Sequence, residues 1–134
     1  MDYKTVRCIL DKNSRYLLAV HNNILPQTIG KWGLPGGTIE KEESFEAALA
    51  RELKEELALT LTGFLEIGDF EYRRYLHKVF AVPYSGSEKL EFDKKEILRM
   101  AWYSFADVTA LHKADKLHTG FEFEAISSYR ALSK

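Results

Sequence analysis

The run from Gly36 to Leu59, GGTIEKEESFEAALARELKEELAL, limits the possible folds of this chain more than any other stretch. Ser44 is a suitable N-cap, and the residues after it are nearly all strong helix formers without glycine or proline. The pattern therefore predicts a helix over Phe45–Leu57. Before it, Gly33–Gly37 is a turn-rich loop whose backbone can approach a ligand closely.

Three glutamates lie together on this predicted helix. Glu52 and Glu56 stack one turn apart and Glu55 lies beside them, because residues three and four apart share a helix face. The apolar stripe of the helix consists of Phe45, Ala48, Leu49, Leu53 and Leu57. Glu52 and Glu56 fall within this stripe or at its edge, so they point toward the protein body. Converging carboxylates predict a site for a hard divalent cation such as Mg²⁺, with an ordinary solvated Glu-rich helix as the alternative.

Loop and helix together resemble the Nudix box, a glycine followed by a glutamate and an Arg-Glu-apolar-x-Glu-Glu core. The matching residues are Gly37, Glu43, Arg51, Glu52, Leu53, Glu55, Glu56 and Leu59. Ala58 stands where the family usually has glycine. Because left-handed backbone costs an alanine about 1–2 kcal/mol, the helix end is expected to differ from that of the family.

The resemblance implies a fold, a reaction and a set of roles. The fold is an α/β/α sandwich with a mixed β-sheet between helices, and residues 1–134 would form a single Nudix hydrolase domain. The reaction is hydrolysis of a nucleoside diphosphate linked to another group, with Mg²⁺ or Mn²⁺ as cofactor. The implied metal ligands are Glu52, Glu55, Glu56 and the Gly36 carbonyl. Glu43 and Arg51 resemble the structural pair that orients the helix against its loop.

A further carboxylate is expected from the charged connection Ser85–Lys95, which ends at Glu96. Many Nudix proteins carry an acidic residue shortly before a tryptophan-containing strand, and Glu96 ahead of Trp102 resembles that arrangement. Such a residue serves as an additional ligand or as general base. Glu91 and Asp93 are the alternatives within the loop. The base that takes a proton from water is thus Glu96 or a helix glutamate such as Glu52 or Glu55.

Four residues are candidate substrate contacts, and His21, at the start of the polar loop before the glycine loop, is a further one, with a solvated loop as the alternative. Arg73 and Arg74 belong to a compact basic group, and guanidinium groups bind phosphate oxygens bidentately. They could equally mark an exposed turn. Lys31 and Trp32 precede the glycine loop, where the family often borders its nucleotide, and aromatic rings stack on bases. A solvated loop for Lys31 and a core position for Trp32 are the alternatives.

The rest of the chain predicts a scaffold of alternating strands and helices. The predicted strands are Thr5–Leu10, Tyr16–Val20, Thr60–Tyr72, Tyr75–Pro83 and Met100–Tyr103. Short helices are expected over Phe105–Leu111 and Gly120–Leu132, the second covering one face of the sheet.

Length and composition limit the possible number of domains, the partners and the location of the protein. A length of 134 residues with 46% hydrophobic content suits one domain with a real core. The net charge of −1 gives no reason to expect a nucleic-acid surface. Cys8 is the only cysteine, so no intramolecular disulfide forms, and its apolar surroundings predict a buried thiol. No segment resembles a signal peptide or a membrane span, which predicts a cytoplasmic location.

The substrate expected from the short chain is a small nucleotide, and the reaction a MutT-like nucleoside triphosphate pyrophosphohydrolysis. ADP-ribose, nucleotide sugars and dinucleoside polyphosphates are the alternatives within the hydrolases. A non-catalytic nucleotide-binding module is the alternative from another class, although such modules often lose box glutamates. An isoprenoid diphosphate isomerase would need a catalytic cysteine, which buried Cys8 does not provide. Homodimerisation is common in the family.

Overall fold

A computed structural model describes residues 1–22 and 26–132, which form one mixed β-sheet with helices on both faces. The strands are β1 (Tyr3–Lys12), β2 (Arg15–His21), β3 (Gly36–Thr38), β4 (Leu65–Tyr72), β5 (Tyr75–Pro83) and β6 (Ile97–Ser104). The helices are α1 (Phe45–Leu57), α2 (Phe105–Lys113) and α3 (Phe121–Leu132). Within these described ranges, no helix is long and apolar enough to cross a membrane.

The sheet has the order β4-β5-β1-β2-β6, with β3 paired to β1 outside this path. Of the strand pairs in the described residues, β1–β5 alone is parallel. β1 and β2 pair beside their turn and then diverge, and the glycine loop with β3 lies in the gap. Two backbone bonds fix the loop there, from Cys8 N–H to the Pro35 carbonyl (2.8 Å) and from Ala19 N–H to the Gly33 carbonyl (2.9 Å). The glycine loop is therefore built into the sheet.

Two apolar layers pack against the sheet. Because successive strand residues point to opposite faces, Cys8 and Leu10 pack in the cluster that contains α1, and Ile9 packs in the cluster that contains α3. This arrangement confirms the predicted α/β/α sandwich. Cys8 is fully buried, as predicted, and burial raises the pKa of its thiol.

The predicted limits of α1 and β5 are confirmed, whereas the predicted start of β4 at Thr60 is wrong. β4 begins at Leu65, which pairs with Ala81 near the end of β5. The register that places Leu65 opposite Ala81 leaves just Val82 and Pro83 of β5 beyond it, so most of residues 60–64 have no β5 residue opposite them to form a ladder with. Strand propensity alone does not make a strand without a partner.

The end of α1 also differs from expectation. Ala58 adopts the left-handed conformation (φ 56°, ψ 29°), and its N–H bonds to the Lys54 carbonyl at 3.1 Å. The following residue, Leu59, is buried in the same apolar cluster as Leu57. Because both leucines must reach that core, their burial offsets the strain of a left-handed alanine. Ala58 thus adopts the left-handed conformation that glycine usually adopts at this position of the family motif.

Replacing Ala58 with glycine should therefore stabilise the protein. Glycine adopts this conformation without the Cβ clash, so we expect Ala58→Gly to raise the free energy of unfolding by about 0.5–1 kcal/mol. Urea unfolding measures the change. Ala50→Gly, within α1, is the matched control and should instead lower stability by about 1 kcal/mol. Loss of stability in Ala58→Gly would contradict the strain at this position.

Candidate active site

The buried side of α1 carries two carboxylates toward the gap between β1 and β2. Ser44 caps the helix by accepting a bond from Ala47 N–H (3.1 Å), and Leu49 and Leu53 anchor it in the core. With this face fixed, Glu52 and Glu56 are only 7% and 2% exposed. The predicted inward direction of these two side chains is confirmed.

A third carboxylate joins them from the other half of the chain. Oxygens of Glu52, Glu56 and Glu96 all lie within 4.8 Å of one another. The loop before β6 is tied to α1 by the bond from Asp93 N–H to the Glu56 carbonyl (3.0 Å), and Glu96 N–H bonds back to the Asp93 carbonyl (3.0 Å). A bond from Asn22 N–H to the Glu96 carbonyl (2.7 Å) ties it to the end of β2. Of the loop carboxylates considered, Glu96 is the one in this group.

Glu55 lies apart from this three-carboxylate group. Its side chain is 51% exposed, and Oε2 accepts a bond from Arg51 Nη1 at 3.2 Å. It lines the same cavity, of about 550 Å³. Gly36 also lines this cavity, and its N–H donates to Glu56 Oε1 at 3.0 Å. A ligand role for Glu55 or for the Gly36 carbonyl stays a prediction.

Arg51 connects the helix to the loop before it. Its Nε and Nη2 bond to the two carboxylate oxygens of Glu43 at 2.7 and 2.9 Å, and Nη2 also reaches the Thr38 carbonyl at 3.0 Å. Its Nη1 bonds to Glu52 Oε1 at 2.9 Å. The hydrogen bonds from Arg51 lower the pKa of Glu43 to about 2. The predicted Glu43–Arg51 pair is thus present as a bidentate contact that also holds Glu52.

The charges of the cluster favour a cation. Burial raises the pKa of Glu52, and the neighbouring Glu56 adds to the effect, whereas the Arg51 hydrogen bond opposes it. Burial and the nearby carboxylates of Glu56 and Asp93 raise the pKa of Glu96. Carboxylates that repel one another in a partly dry site hold a hard divalent ion well, because it takes oxygen ligands.

The backbone at Gly37 leaves space for the Glu52 carboxylate. A Cβ added at Gly37 would lie 2.5 Å from the Glu52 carboxylate carbon and from both of its oxygens. Glycine at this position leaves the space in which that carboxylate lies. We call this space beside Gly37 the Glu52 cradle. The carboxylate oxygens of the site, with Glu52 held in this cradle, fit a Mg²⁺ or Mn²⁺ ion held by Glu52, Glu56 and Glu96.

Arg7 and His118 are among the cavity residues that were not predicted from the sequence. Arg7 lies on β1, where burial lowers the pKa of its guanidinium, and its Nη1 reaches the Leu34 carbonyl at 3.3 Å. His118 comes from the connection before α3, and burial lowers its pKa to about 4. Arg7 could have been predicted as a site residue, because a charged arginine is unusual inside the apolar run of β1. No local pattern marks His118, which reaches the cavity because its N–H bonds to the Trp32 carbonyl at 2.7 Å.

The four predicted substrate contacts lie outside the cavity lining. Among the described residues, none of Lys31, Trp32, Arg73 and Arg74 lines the cavity. Trp32 is a core residue, 7% exposed, with its ring 5.1 Å from that of Tyr103. The core position given as the alternative for Trp32 is the one observed, because its ring is packed inside the protein.

The three charged candidates lie on the surface around the site. Lys31 forms an ion pair with Asp115 (3.4 Å). Arg73 and Arg74 form the β4–β5 turn, both with positive φ. The Arg73 guanidinium lies 5.4 Å from the centre of the Tyr72 ring, and that ring contacts His118 edge-on. Arg73 is thus linked to the cavity wall through Tyr72.

Comparison with known proteins gives one consistent family. A model described as the NUDIX domain matches residues 2–122. A Mycobacterium tuberculosis protein provisionally named 8-oxo-dGTP diphosphatase 2 is 50% identical over 44 residues, 33% of this chain and 30% of that protein. The NAD-capped RNA hydrolase NudC of Mycobacterium bovis is 32% identical over 81 residues, 59% of this chain and 26% of that protein. The chain thus spans less than a third of either relative.

Solved structures share the fold. A NUDIX hydrolase from Nitrosomonas europaea has a TM-score of 0.74 at 24% identity, over 98% of this chain and 90% of that one. The NUDIX domain of Shewanella oneidensis NrtR, solved with ADP ribose, has a TM-score of 0.79 at 20% identity, over 100% of this chain and 90% of that one. At these identities the likeness shows the fold alone.

The two loop glycines should respond differently to alanine. In Gly37→Ala the new methyl group meets only the end of the Glu52 side chain, so we expect a near-native fold and a divalent-cation affinity about 10–100-fold lower. In Gly36→Ala the Cβ would lie 2.1 Å from the Val6 carbonyl oxygen at a φ of +138°, which should cost about 2 kcal/mol or more of stability. Isothermal titration with Mn²⁺ and urea unfolding separate the two effects. Equal loss of stability in both variants would contradict the prediction that Gly37 acts mainly by leaving space for the Glu52 carboxylate.

Acid should weaken the Glu43–Arg51 pair. The folded-state pKa of Glu43, about 2, is below its ordinary value of 4.5, so the ionised pair stabilises the fold above pH 4.5 and this contribution disappears as the pH falls toward 2. We expect Glu43→Gln to be less stable than the wild type at pH 7, with a difference that shrinks between pH 4.5 and 2. Urea unfolding across this range measures it, with exposed Glu42→Gln as control. A difference independent of pH would contradict the linkage.

Proposed function

This chain belongs to the Nudix family, and on that premise we propose that it is a metal-dependent hydrolase that cleaves a phosphoanhydride bond in a nucleoside triphosphate. The observation that carries the proposal is the convergence of Glu52, Glu56 and Glu96 within 4.8 Å in a cavity. Two of these carboxylates, Glu52 and Glu56, are buried, and burying like charges together is costly unless a cation is bound, which supports a metal-dependent reaction over nucleotide binding alone. The finer choice of a triphosphate draws on the M. tuberculosis relative, whose name contains a nucleoside triphosphate.

The cavity suits a nucleotide in size and charge. About 550 Å³ is within the range of small-molecule sites, which run from about 300 to 1,000 Å³. Its wall combines the carboxylate group with the cations of Arg7 and Lys95. Phosphates can therefore lie between a bound metal ion and fixed positive charge.

Mg²⁺ or Mn²⁺ would be held by Glu52, Glu56 and Glu96. When bound, the ion neutralises phosphate charge and lowers the pKa of a water molecule. The protein contributes orientation, because Arg51 holds Glu52 and the Gly36 N–H holds Glu56.

Glu96 is the best placed proton acceptor. Among the described residues, its carboxylate has no hydrogen-bond or ion-pair partner, whereas Glu52, Glu55 and Glu56 each accept at least one hydrogen bond. In the proposed reaction, a water oxygen bonds to phosphorus, its proton passes to Glu96, and the phosphoanhydride P–O bond breaks. A nucleoside monophosphate and pyrophosphate leave. The bridging oxygen of the broken bond leaves with the negative charge, and the oxygen of the water stays on the phosphorus that it attacked.

Substitution of the proposed base should abolish turnover without unfolding the protein. We expect Glu96→Gln to lower kcat about 10²–10⁴-fold, because the amide cannot accept the proton. Glu56→Gln should also lose activity, through loss of a proposed metal ligand. Glu46→Gln is the matched control, since Glu46 is exposed in the first turn of the same helix and should leave kcat unchanged.

The screen that names the substrate uses canonical and oxidised nucleoside triphosphates, ADP-ribose, nucleotide sugars and dinucleoside polyphosphates, each with Mg²⁺ and Mn²⁺. Release of pyrophosphate from one triphosphate, lost in Glu96→Gln, would support the proposal. Turnover of ADP-ribose alone would replace the substrate class and keep the reaction. Saturable nucleotide binding without turnover of any compound would instead establish a binding module.

A further inference from the structure

His21 brings a nitrogen atom to the carboxylate group. It is the last residue of β2 and pairs with Ile97 at the start of β6, after an irregularity in the register. The next residue is also bound to the β6 side, because Asn22 Nδ2 donates to the Lys95 carbonyl at 3.1 Å. Sheet pairing thus places His21 beside Glu96, and both residues line the cavity.

The Nε2 atom of His21 has no hydrogen-bond partner. It is buried, and in the part of the chain that the structure describes it is the one buried side-chain nitrogen or oxygen left without such a bond. Its nearest charged neighbour is Glu56 Oε2, at 3.4 Å, in a geometry that does not form a hydrogen bond. A buried polar atom without a partner is costly to the folded state, so an atom in this position indicates an absent bonding partner.

The surroundings decide what that partner is. The imidazole lies at the Glu56 side of the carboxylate group, 3.4 Å from Glu56 Oε2, and Glu56 is in turn close to Glu52 and Glu96. Phosphate or other anionic oxygens would be repelled at this point, whereas a cation would be attracted both by the carboxylates and by a nitrogen lone pair. Neutral imidazole is a common metal ligand in proteins.

We propose that Nε2 of His21 is a nitrogen ligand of the cation site formed by Glu52, Glu56 and Glu96. The inference rests on the proposed function, since it takes the carboxylate group to be a metal site. It deepens that function in a specific way: imidazole suits first-row transition ions better than Mg²⁺, which prefers oxygen ligands. The site therefore favours a transition ion over Mg²⁺ more than a site of carboxylates alone would.

Electron spin echo envelope modulation of the Mn²⁺-loaded protein tests the bond directly. We expect modulation from ¹⁴N in the wild-type protein, and its replacement by the ¹⁵N pattern when the histidines carry ¹⁵N. The modulation should disappear in His21→Gln. It should remain in His118→Gln, the matched control, because His118 is the other imidazole that lines the cavity. The isotope experiment requires no variant, so it holds even where a substitution disturbs the fold.

A second readout concerns selectivity. By isothermal titration, the ratio of Mg²⁺ to Co²⁺ dissociation constants should fall at least tenfold in His21→Gln, because only the transition ion loses a preferred nitrogen ligand. An unchanged ratio, with both affinities lowered together, would show that His21 only supports Glu56 and would overturn the proposal.

The outcomes also separate this inference from the proposed function. Mn²⁺-dependent hydrolysis without histidine nitrogen modulation would overturn the His21 assignment and leave the hydrolase intact. Modulation that persists in His21→Gln would likewise overturn it. Failure of the wild-type protein to bind Mn²⁺ in the electron spin resonance titration would overturn both.

Discussion

The hydrogen bond from Gly36 N–H to the Glu56 carboxylate, at 3.0 Å, joins the three parts from which the site is built. Gly36 pairs with Arg7 of β1, and its φ of +138° leaves no room for a side chain against Val6. Glu56 is 2% exposed, so its carboxylate needs such a donor to be tolerated. This bond therefore fixes the position of α1 relative to β1 and the glycine loop, and with it the position of the Glu56 carboxylate.

The remaining charges are arranged around that fixed point. Arg51 pairs with Glu43 and with the buried Glu52, and its single positive charge leaves the carboxylate group with an excess of negative charge. Burying several like charges is costly unless an opposite charge is bound. The fold thus accepts repulsion between these carboxylates, which a divalent cation would relieve under the proposed function.

How far the sequence predicted the structure depended on the range of the interactions involved. The helix Phe45–Leu57 and the inward direction of Glu52 were predicted correctly, because residue spacing along one helix fixes both. The start of β4 was not, because pairing with β5 decides it. Ala58 shows the same limit, since its left-handed conformation follows from the burial of the leucines on either side of it.

The sequence by itself determined the family, the helix with its glutamates and the Glu43–Arg51 pair, since the residues involved lie close together in the chain. Only the tertiary structure decided which other groups reach them. Glu96 was expected by resemblance, but its place beside Glu52 comes from the bonds of its loop to α1 and β2. Sheet pairing and loop contacts bring His21 and His118 to the same cavity. Such neighbours come from distant parts of the chain, and no local pattern records which strands will pair.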